Sequence, residues 1–238
     1  MTHLTDFHSH ILPGVDDGSA SVEESLAMLR MLSRQGVSHV VATPHFYPNY
    51  DDPEQFLRRR KDAYEALLAA MESEPDLPRI TLGAEVLFFR GMSESDLLPQ
   101  LTIEKKRCIL IEMPPPPWSD AMYRELETVR TKQGLTPIIA HVDRYISPFR
   151  THGIPKRLAQ LPVLVQANAG FFLRPATASM AMKLLKADQI QLLGSDCHNL
   201  TTRPPEMGAA VRRIEEKLGQ GIPDRIRNYE HMILDVQE

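Results

Sequence analysis

The sequence predicts an α/β protein in which β-α units repeat through a single domain, residues 1–238, and close as a seven-stranded parallel barrel. Three observations carry this expectation. Short apolar runs alternate with helical patterns from one end of the chain to the other, the signature of β-α repeats rather than of a bundle or a sandwich. Each of the seven apolar runs finishes at a residue able to bind a hard cation or donate to one. In a parallel barrel the carboxyl ends of all strands meet on one face, where active sites form, so residues far apart in sequence would converge there. No repeat by sequence, low-complexity segment or linker interrupts the pattern.

The first strand, near Leu4–Phe7, runs into His8-Ser9-His10. Ser21 then opens a helix as N-cap, with Glu24 completing a capping box, and Gly36 closes it. A second strand, Val37–Thr43, ends at Pro44 and His45. Residues 53–72 form a long helix with Phe56, Tyr64, Leu67, Leu68 and Met71 on its apolar stripe. Strands follow at Ile80–Ala84, ending at Glu85, and at Cys108–Ile111, ending at Glu112 before the stiff Pro114–Pro117 run. After a helix over Ser119–Lys132, the strand Thr136–Ala140 ends at His141 and Val163–Ala167 ends at Asn168. The last strand, Ile190–Ser195, lies between helices at Pro175–Lys186 and Pro204–Leu218 and ends at Asp196 and His198, with a short tail helix at the end of the chain.

Composition narrows the function. At 42% hydrophobic and 24% charged residues the chain is an ordinary globular one. No apolar run approaches the roughly 20 residues of a membrane span, and the start lacks the features of an export signal. With only Cys108 and Cys197 no disulfide scaffold is indicated, so a reducing cytoplasm is expected. A net charge of −4 argues against a nucleic-acid partner.

The chemistry concentrates at the strand ends. In an extended segment residues two apart project to the same side, so His8 and His10 can face one ion while Ser9 faces away. Alone, such a pair is also consistent with surface histidines beside an acidic turn. Collected over the whole chain, the candidates are His8, His10, Asp17, His45, Glu85, Glu112, His141, Asp196 and His198. Nine donors exceed the needs of one ion. Mixed imidazole and carboxylate without thiolate disfavours a structural zinc site and suits Mn, Fe or Zn in a cluster with bridging carboxylates. Were three divalent ions to bind, the four carboxylates would leave positive charge for a hydroxide and a phosphate to fill. Each member has a plain alternative: Glu85 and Glu112 as strand-end charges paired with a base, His45 as a turn cap. Asp16 is left as a turn residue or a supporting one, so Asp17→Ala is expected to lose more metal than Asp16→Ala. The remaining histidines, His3, His39, His152 and His231, are assigned to surface or packing.

Arg144 lies three residues after His141, and Arg203 five after His198. A guanidinium beside such a cluster can clamp phosphate oxygens bidentately and stabilise charge in a transition state. The basic runs Arg58–Lys61 and Lys105–Arg107 read as solvated faces. Phe46, Tyr47 and Tyr50 after His45, and Phe171 and Phe172 after Asn168, either wall a substrate pocket or pack at loop bases.

The H-x-H followed by DDG, then TPH, GAE, IE before prolines, AHVDRY and SDCHN with RPP after it, resemble in matching order the PHP-domain metallophosphatases. Among these the chain is most similar to the bacterial protein-tyrosine phosphatases encoded with capsule and exopolysaccharide genes. The resemblance runs from Asp6 to about Gly208. It implies a distorted seven-stranded, TIM-like β/α barrel of the PHP type, a trinuclear Mn-preferring site, and action on the phosphotyrosine tail of an autophosphorylating tyrosine kinase that controls polysaccharide export. Carried over by motif, the nine residues above are the ligands, and Arg144 and Arg203 bind phosphate. Ring-forming members carry Glu-Glu-x-x-Arg on a helix. Here Glu23 and Glu24 are followed by Ala27 in place of the arginine, so the motif is incomplete and a homo-oligomer is left open.

Cys197 to Arg203 also fits C-x5-R, the spacing of thiolate-based tyrosine phosphatases. That chemistry needs a glycine-rich loop and a thiolate of depressed pKa; residues 198–202 contain no glycine, and Pro204 removes an amide donor just beyond. The ligand set therefore predicts metal-assisted phosphomonoester hydrolysis, and the resemblance implies phosphotyrosine as the substrate. A small-molecule phosphatase, for instance one acting on histidinol phosphate, and a non-catalytic metal-bound scaffold are the alternatives.

Overall fold

In a computed structural model the structure describes residues 4–103 and 107–234; His3, Lys105 and Lys106 lie outside the described residues. Strands β1 (Leu4–Ser9), β2 (Val37–Ala42) and β4 (Arg79–Leu82) form one sheet in the order β1-β2-β4. Strands β3 (His45–Phe46), β5 (Glu85–Leu87), β6 (Cys108–Glu112), β7 (Thr136–Ile139), β8 (Leu164–Asn168) and β9 (Leu192–Gly194) form a second sheet in that order. Every strand pairing is parallel. The two edge strands β1 and β9 meet through a parallel bridge between Ser9 and Cys197, where Asp196 N–H donates to the His8 carbonyl at 2.7 Å. The result is a curled parallel sheet with helices outside.

The described residues hold nine strands rather than the expected seven, because two expected strands are each split. Val37–Ala42 stops at Thr43-Pro44, where proline has no N–H for the ladder, and the chain resumes as β3. Its partner breaks at Gly83-Ala84. Across the gap the backbone stays paired, with Gly83 N–H to the Ala42 carbonyl at 2.8 Å and Glu85 N–H to the Pro44 carbonyl at 3.0 Å. The break re-aims the chain so that His45 and Glu85 sit opposite each other in register at the mouth of the sheet.

Helix α1 (Val22–Arg34) starts as the sequence indicates: Ser21 Oγ accepts from Glu24 N–H at 3.3 Å. Glu24 reaches one residue further back than a capping box requires, to Ala20 N–H at 2.9 Å. Helix α2 (Pro53–Met71) is capped by Asp52 and buries Phe56 and Leu67; Leu68, expected on the same stripe, is 39% exposed. Within the basic run, Arg60 departs from the expected solvated face. Its guanidinium donates to the Gly83 carbonyl at 2.8 Å and the Gln100 carbonyl at 3.1 Å, pinning α2 to the strand break. Helix α3 (Asp120–Gln133) ends at Gly134 with φ of 67°. Two helices of five residues, α4 (Ile154–Leu158) and α5 (Ala169–Leu173), were too short to leave a periodic signal. Helix α6 (Pro175–Lys186) has the expected bounds. Helix α7 (Met207–Leu218) begins three residues later than expected, since Arg203 and Pro204 each precede a proline and are driven out of the helical region. Helix α8 (Gly221–Leu234) closes the described chain.

Apolar residues fill two layers. Phe7, Val41, Leu110, Ile138 and Leu192 form a cluster with Ile233 and Leu234 from the end of α8. A larger layer between strands and helices takes Met28, Leu29 and Leu32 from α1 and Phe56 and Leu67 from α2. Phe46, Phe171 and Phe172 belong to this layer, each at most 2% exposed, so they are core side chains and not pocket walls.

Candidate metal centre

The carboxyl ends of the strands bring all nine strand-end candidates together. His8 and His10 leave β1 on one side, with their Nε2 atoms 3.2 Å apart, while Ser9 turns away to donate to the Val41 carbonyl. Glu85, buried at the start of β5, is the hub. Its Oε2 lies 3.1 Å from His8 Nε2, 3.3 Å from His10 Nε2 and 3.0 Å from His45 Nδ1; its Oε1 lies 2.6 Å from His141 Nε2. Glu112 approaches His141 Nε2 at 3.6 Å. Asp196 Oδ1 stands 3.4 Å from His10 Nε2 and 3.6 Å from His8 Nε2. On the solvent side Asp17 Oδ1 is 3.6 Å from His45 Nε2 and 3.5 Å from His198 Nε2.

Among the described residues three overlapping groups have donor atoms within 4.8 Å of one another: His10, Asp17, His45 and His198; His8, His10 and Glu85; and His45, Glu85 and Glu112. His45 Nδ1 and His198 Nε2 are buried with no hydrogen-bond partner, although each faces a carboxylate. Buried polar atoms are nearly always paired, and two orphan imidazole nitrogens aimed at carboxylates are what a cation between them would satisfy. The donor set of imidazole and carboxylate, without thiolate, fits divalent ions of the Mn, Fe or Zn kind.

Two backbone features shape this face. His141 and Asp196 both hold left-handed conformations, with φ of 30° and 53°, unusual for residues other than glycine. Two glycines permit the close approach of neighbouring backbone to the histidines. A Cβ on Gly18 would fall 2.3 Å from the His10 carbonyl oxygen, and one on Gly194 would fall 2.6 Å from His8 Cβ.

A supporting layer orients the donors. Asp16 Oδ2 accepts from His10 Nδ1 at 2.7 Å and from His45 N–H at 2.8 Å, and its Oδ1 accepts from Gly18 N–H at 2.9 Å. Proton on Nδ1 leaves His10 Nε2 free to face Glu85 and Asp196. His198 is set the same way, with Nδ1 3.0 Å from the Asp196 carbonyl. Gln166, fully buried in β8, accepts from His141 N–H at 2.6 Å and lies 3.2 Å from His8 Nδ1. Asn168 donates to Asp196 Oδ2 at 2.9 Å. Sequence reasoning missed Gln166; the available signal was one amide inside the apolar run Leu164-Val165-Gln166-Ala167.

Electrostatics follow from the geometry. Burial alone would raise the Glu85 carboxyl, but the facing His8 charge and the close approach of His10 and His141 hold it well below the usual range. Burial likewise opposes ionisation of Asp196, and His8 and His10 override it. Both arginines converge on Asp196: Arg144 Nη2 lies 2.5 Å from Oδ2 and Arg203 Nη2 2.7 Å from Oδ1. Arg144 also approaches Glu112 at 3.4 Å. With side chains 37% and 36% exposed, they border the buried donors from the solvent side.

The C-x5-R segment does not form an anion loop. Backbone N–H groups of Thr201, Thr202 and Arg203 all donate to Asn199 Oδ1, at 3.0, 2.8 and 3.1 Å. Cys197 is fully buried, and burial pushes its thiol far above its ordinary value. Tyr47 stacks on His45 with ring centroids 5.1 Å apart, whereas Tyr50 projects into solvent, 88% exposed. His39 bonds Thr81 at 2.6 Å, and neither it nor His152 or His231 joins a donor group among the described residues.

The chain is 31% identical over 234 residues to the tyrosine-protein phosphatase CpsB of Streptococcus pneumoniae, covering 91% of each chain. It is 27% identical over 241 residues to the tyrosine-protein phosphatase YwqE of Bacillus subtilis, covering 97% of this chain and 91% of that one. Its fold matches a solved chain from the work described as "Crystal structures of YwqE from Bacillus subtilis and CpsB from Streptococcus pneumoniae, unique metal-dependent tyrosine phosphatases". That match has a TM-score of 0.82 and 23% identity over 99% of this chain and 96% of the other. The family described as "Capsular polysaccharide synthesis, CpsB/CapC" matches residues 4–234, and the chain belongs to that family.

Proposed function

We propose that this protein is a metal-dependent protein-tyrosine phosphatase that removes phosphate from the phosphotyrosine tail of an autophosphorylating tyrosine kinase in capsule or exopolysaccharide synthesis. The observation that carries the reading is the convergence of nine imidazole and carboxylate donors on one face, eight of them buried or half-buried and Asp17 exposed on the solvent side, with Arg144 and Arg203 at its border. The names of the relatives, tyrosine-protein phosphatase in each case, support the substrate class. In this reading each split strand counts once, giving a distorted seven-stranded barrel of the PHP type in a single domain over residues 1–238. The reaction belongs in the cytoplasm; no described helix is long and apolar enough to cross a membrane.

His8, His10, Asp17, His45, Glu85, Glu112, His141, Asp196 and His198 would hold three divalent ions, Mn in preference. Bound there, such ions supply Lewis acidity and acidify water toward neutrality. The protein's own groups do the rest. Glu85 and Asp196 stay ionised despite burial and so would be available to hold the ions. Asp16, Gln166 and the Asp196 carbonyl fix the ring orientations of His10, His8 and His198. Arg144 and Arg203 exchange Asp196 for the equatorial phosphoryl oxygens, stabilising charge in an in-line displacement without a phosphoenzyme. Tyrosine's phenolate, with a pKa of about 10, leaves without a strong general acid.

The test compares rates on a phosphotyrosine peptide, a phosphoserine peptide and histidinol phosphate, with Mn and after its removal. Mn-dependent preference for the phosphotyrosine peptide is expected. Faster turnover of histidinol phosphate would move the protein to the small-molecule class, and no turnover of any of the three would leave only a scaffold.

A further inference from the structure

A second polar feature lies at the other end of β1, away from the strand-end donors. Between α1, α7, α8 and the start of β1 is a cavity of about 210 Å³ lined by Leu4, Leu193, Val211, Ile226, Glu215 and Glu230. Glu230 is 1% exposed. Thr5 hydrogen-bonds to its carboxyl through both hydroxyl and backbone N–H, yet Glu230 Oε1 has no partner. A buried carboxyl oxygen left unpaired is destabilising. Burial also pushes Glu230 up to about 8, so near neutral pH the group is a carboxylic acid.

The orphan oxygen in an apolar cavity favours a ligand that brings a hydrogen-bond donor. Glu215 makes no ion pair among the described residues, nor does Glu230. Of the two lining arginines, Arg212 is exposed at the surface, and Arg227 pairs with Asp224 while its charge also reaches Glu230. Neither lining carboxyl is held in an ion pair, and the orphan Glu230 oxygen is left to accept from a hydrogen-bond donor entering the cavity. The apolar walls suit a compact body of about one ring, since an engineered apolar cavity of about 150 Å³ holds benzene. We propose that this cavity is a binding site for a small primary amine on a compact apolar body, its ammonium paired with Glu230. Binding would convert Glu230 from acid to carboxylate: the carboxyl O–H bond breaks, the proton leaves to solvent, and a charge-assisted N–H···O bond replaces the orphan oxygen.

Benzylamine is the probe, with benzyl alcohol and benzoate as neutral and anionic counterparts, titrated calorimetrically at pH 7 in two buffers of different ionisation enthalpy. Expected are saturable binding of benzylamine with release of close to one proton, and at least tenfold weaker binding of both counterparts. Glu230→Gln should lose the proton release and at least tenfold in affinity. Val211→Phe, which fills the cavity and leaves Glu230 in place, should lose binding as well, excluding uptake at the metal centre. Benzyl alcohol binding as tightly as benzylamine, benzoate binding more tightly, Val211→Phe binding normally, or no saturable binding to the wild-type chain would each overturn the proposal.

Discussion

Replacing Asp16 with alanine separates the supporting role of that carboxylate from direct coordination. Its side chain is 6% exposed and receives three hydrogen bonds, from His10 Nδ1, His45 N–H and Gly18 N–H. Alanine removes the acceptor for all three and leaves a buried imidazole without its partner. Losing one member of a buried charged pair costs about 3–5 kcal/mol. At about 2–4 °C per kcal/mol for a chain of this size, thermal unfolding of the metal-free variant should fall by roughly 10 °C. Metal affinity should fall a further 10–100-fold, the usual effect of removing the partner that fixes a ligating histidine, equivalent to about 1.4–2.7 kcal/mol. Asp17→Ala makes the contrast. Its carboxyl is 69% exposed and stands beside His45 and His198 only at 3.5 Å or more, so the metal-free protein should unfold within about 1 °C of wild type while bound metal drops more than in Asp16→Ala. The assay is calorimetric melting of chelated protein beside metal content after dialysis against limiting Mn. A metal-free Asp16→Ala that melts with the wild type would refute the orienting role.

Chelation with EDTA should abolish phosphatase activity and Mn should restore it, while Cys197→Ser or thiol alkylation leaves most of it; the reverse pattern, read by the same rate assay, would sink the metal mechanism. Arg144→Ala and Arg203→Ala should each lower turnover by orders of magnitude with metal content unchanged, and near-normal kinetics in both would reject the clamp. Stability should fall as pH rises from about 4.5 to about 8, because Glu230 keeps its proton in the fold while the unfolded chain has lost it. Denaturant titrations should show that slope reduced in Glu230→Gln, by an amount on the order of a few kcal/mol over the interval.

The parts of the site legible in the sequence are those that sit at the ends of elements. A strand boundary marked by His8-Ser9-His10 or by His141 announces both where the chain stops pairing and which side chain it presents there, whereas Glu85, read as a strand end, opens β5. What the sequence does not announce is a role that depends on a partner from another strand. Gln166 matters because β7 and β8 are neighbours, which puts its carbonyl oxygen against His141 N–H and His8 Nδ1, a relation no local pattern records. Asp16 and Asp17 are adjacent and chemically identical, and only the turn through Gly18, packed against the His10 backbone, decides which points inward. The same turn explains why the split of β2 from β3 went unread. Asp16 binds His45 N–H, so the strand that Pro44 interrupts is caught again by the first loop of the chain. The interruption is thus part of how the site is assembled: an unbroken strand from Val37 would keep His45 N–H in the ladder and away from the carboxylate that also holds His10.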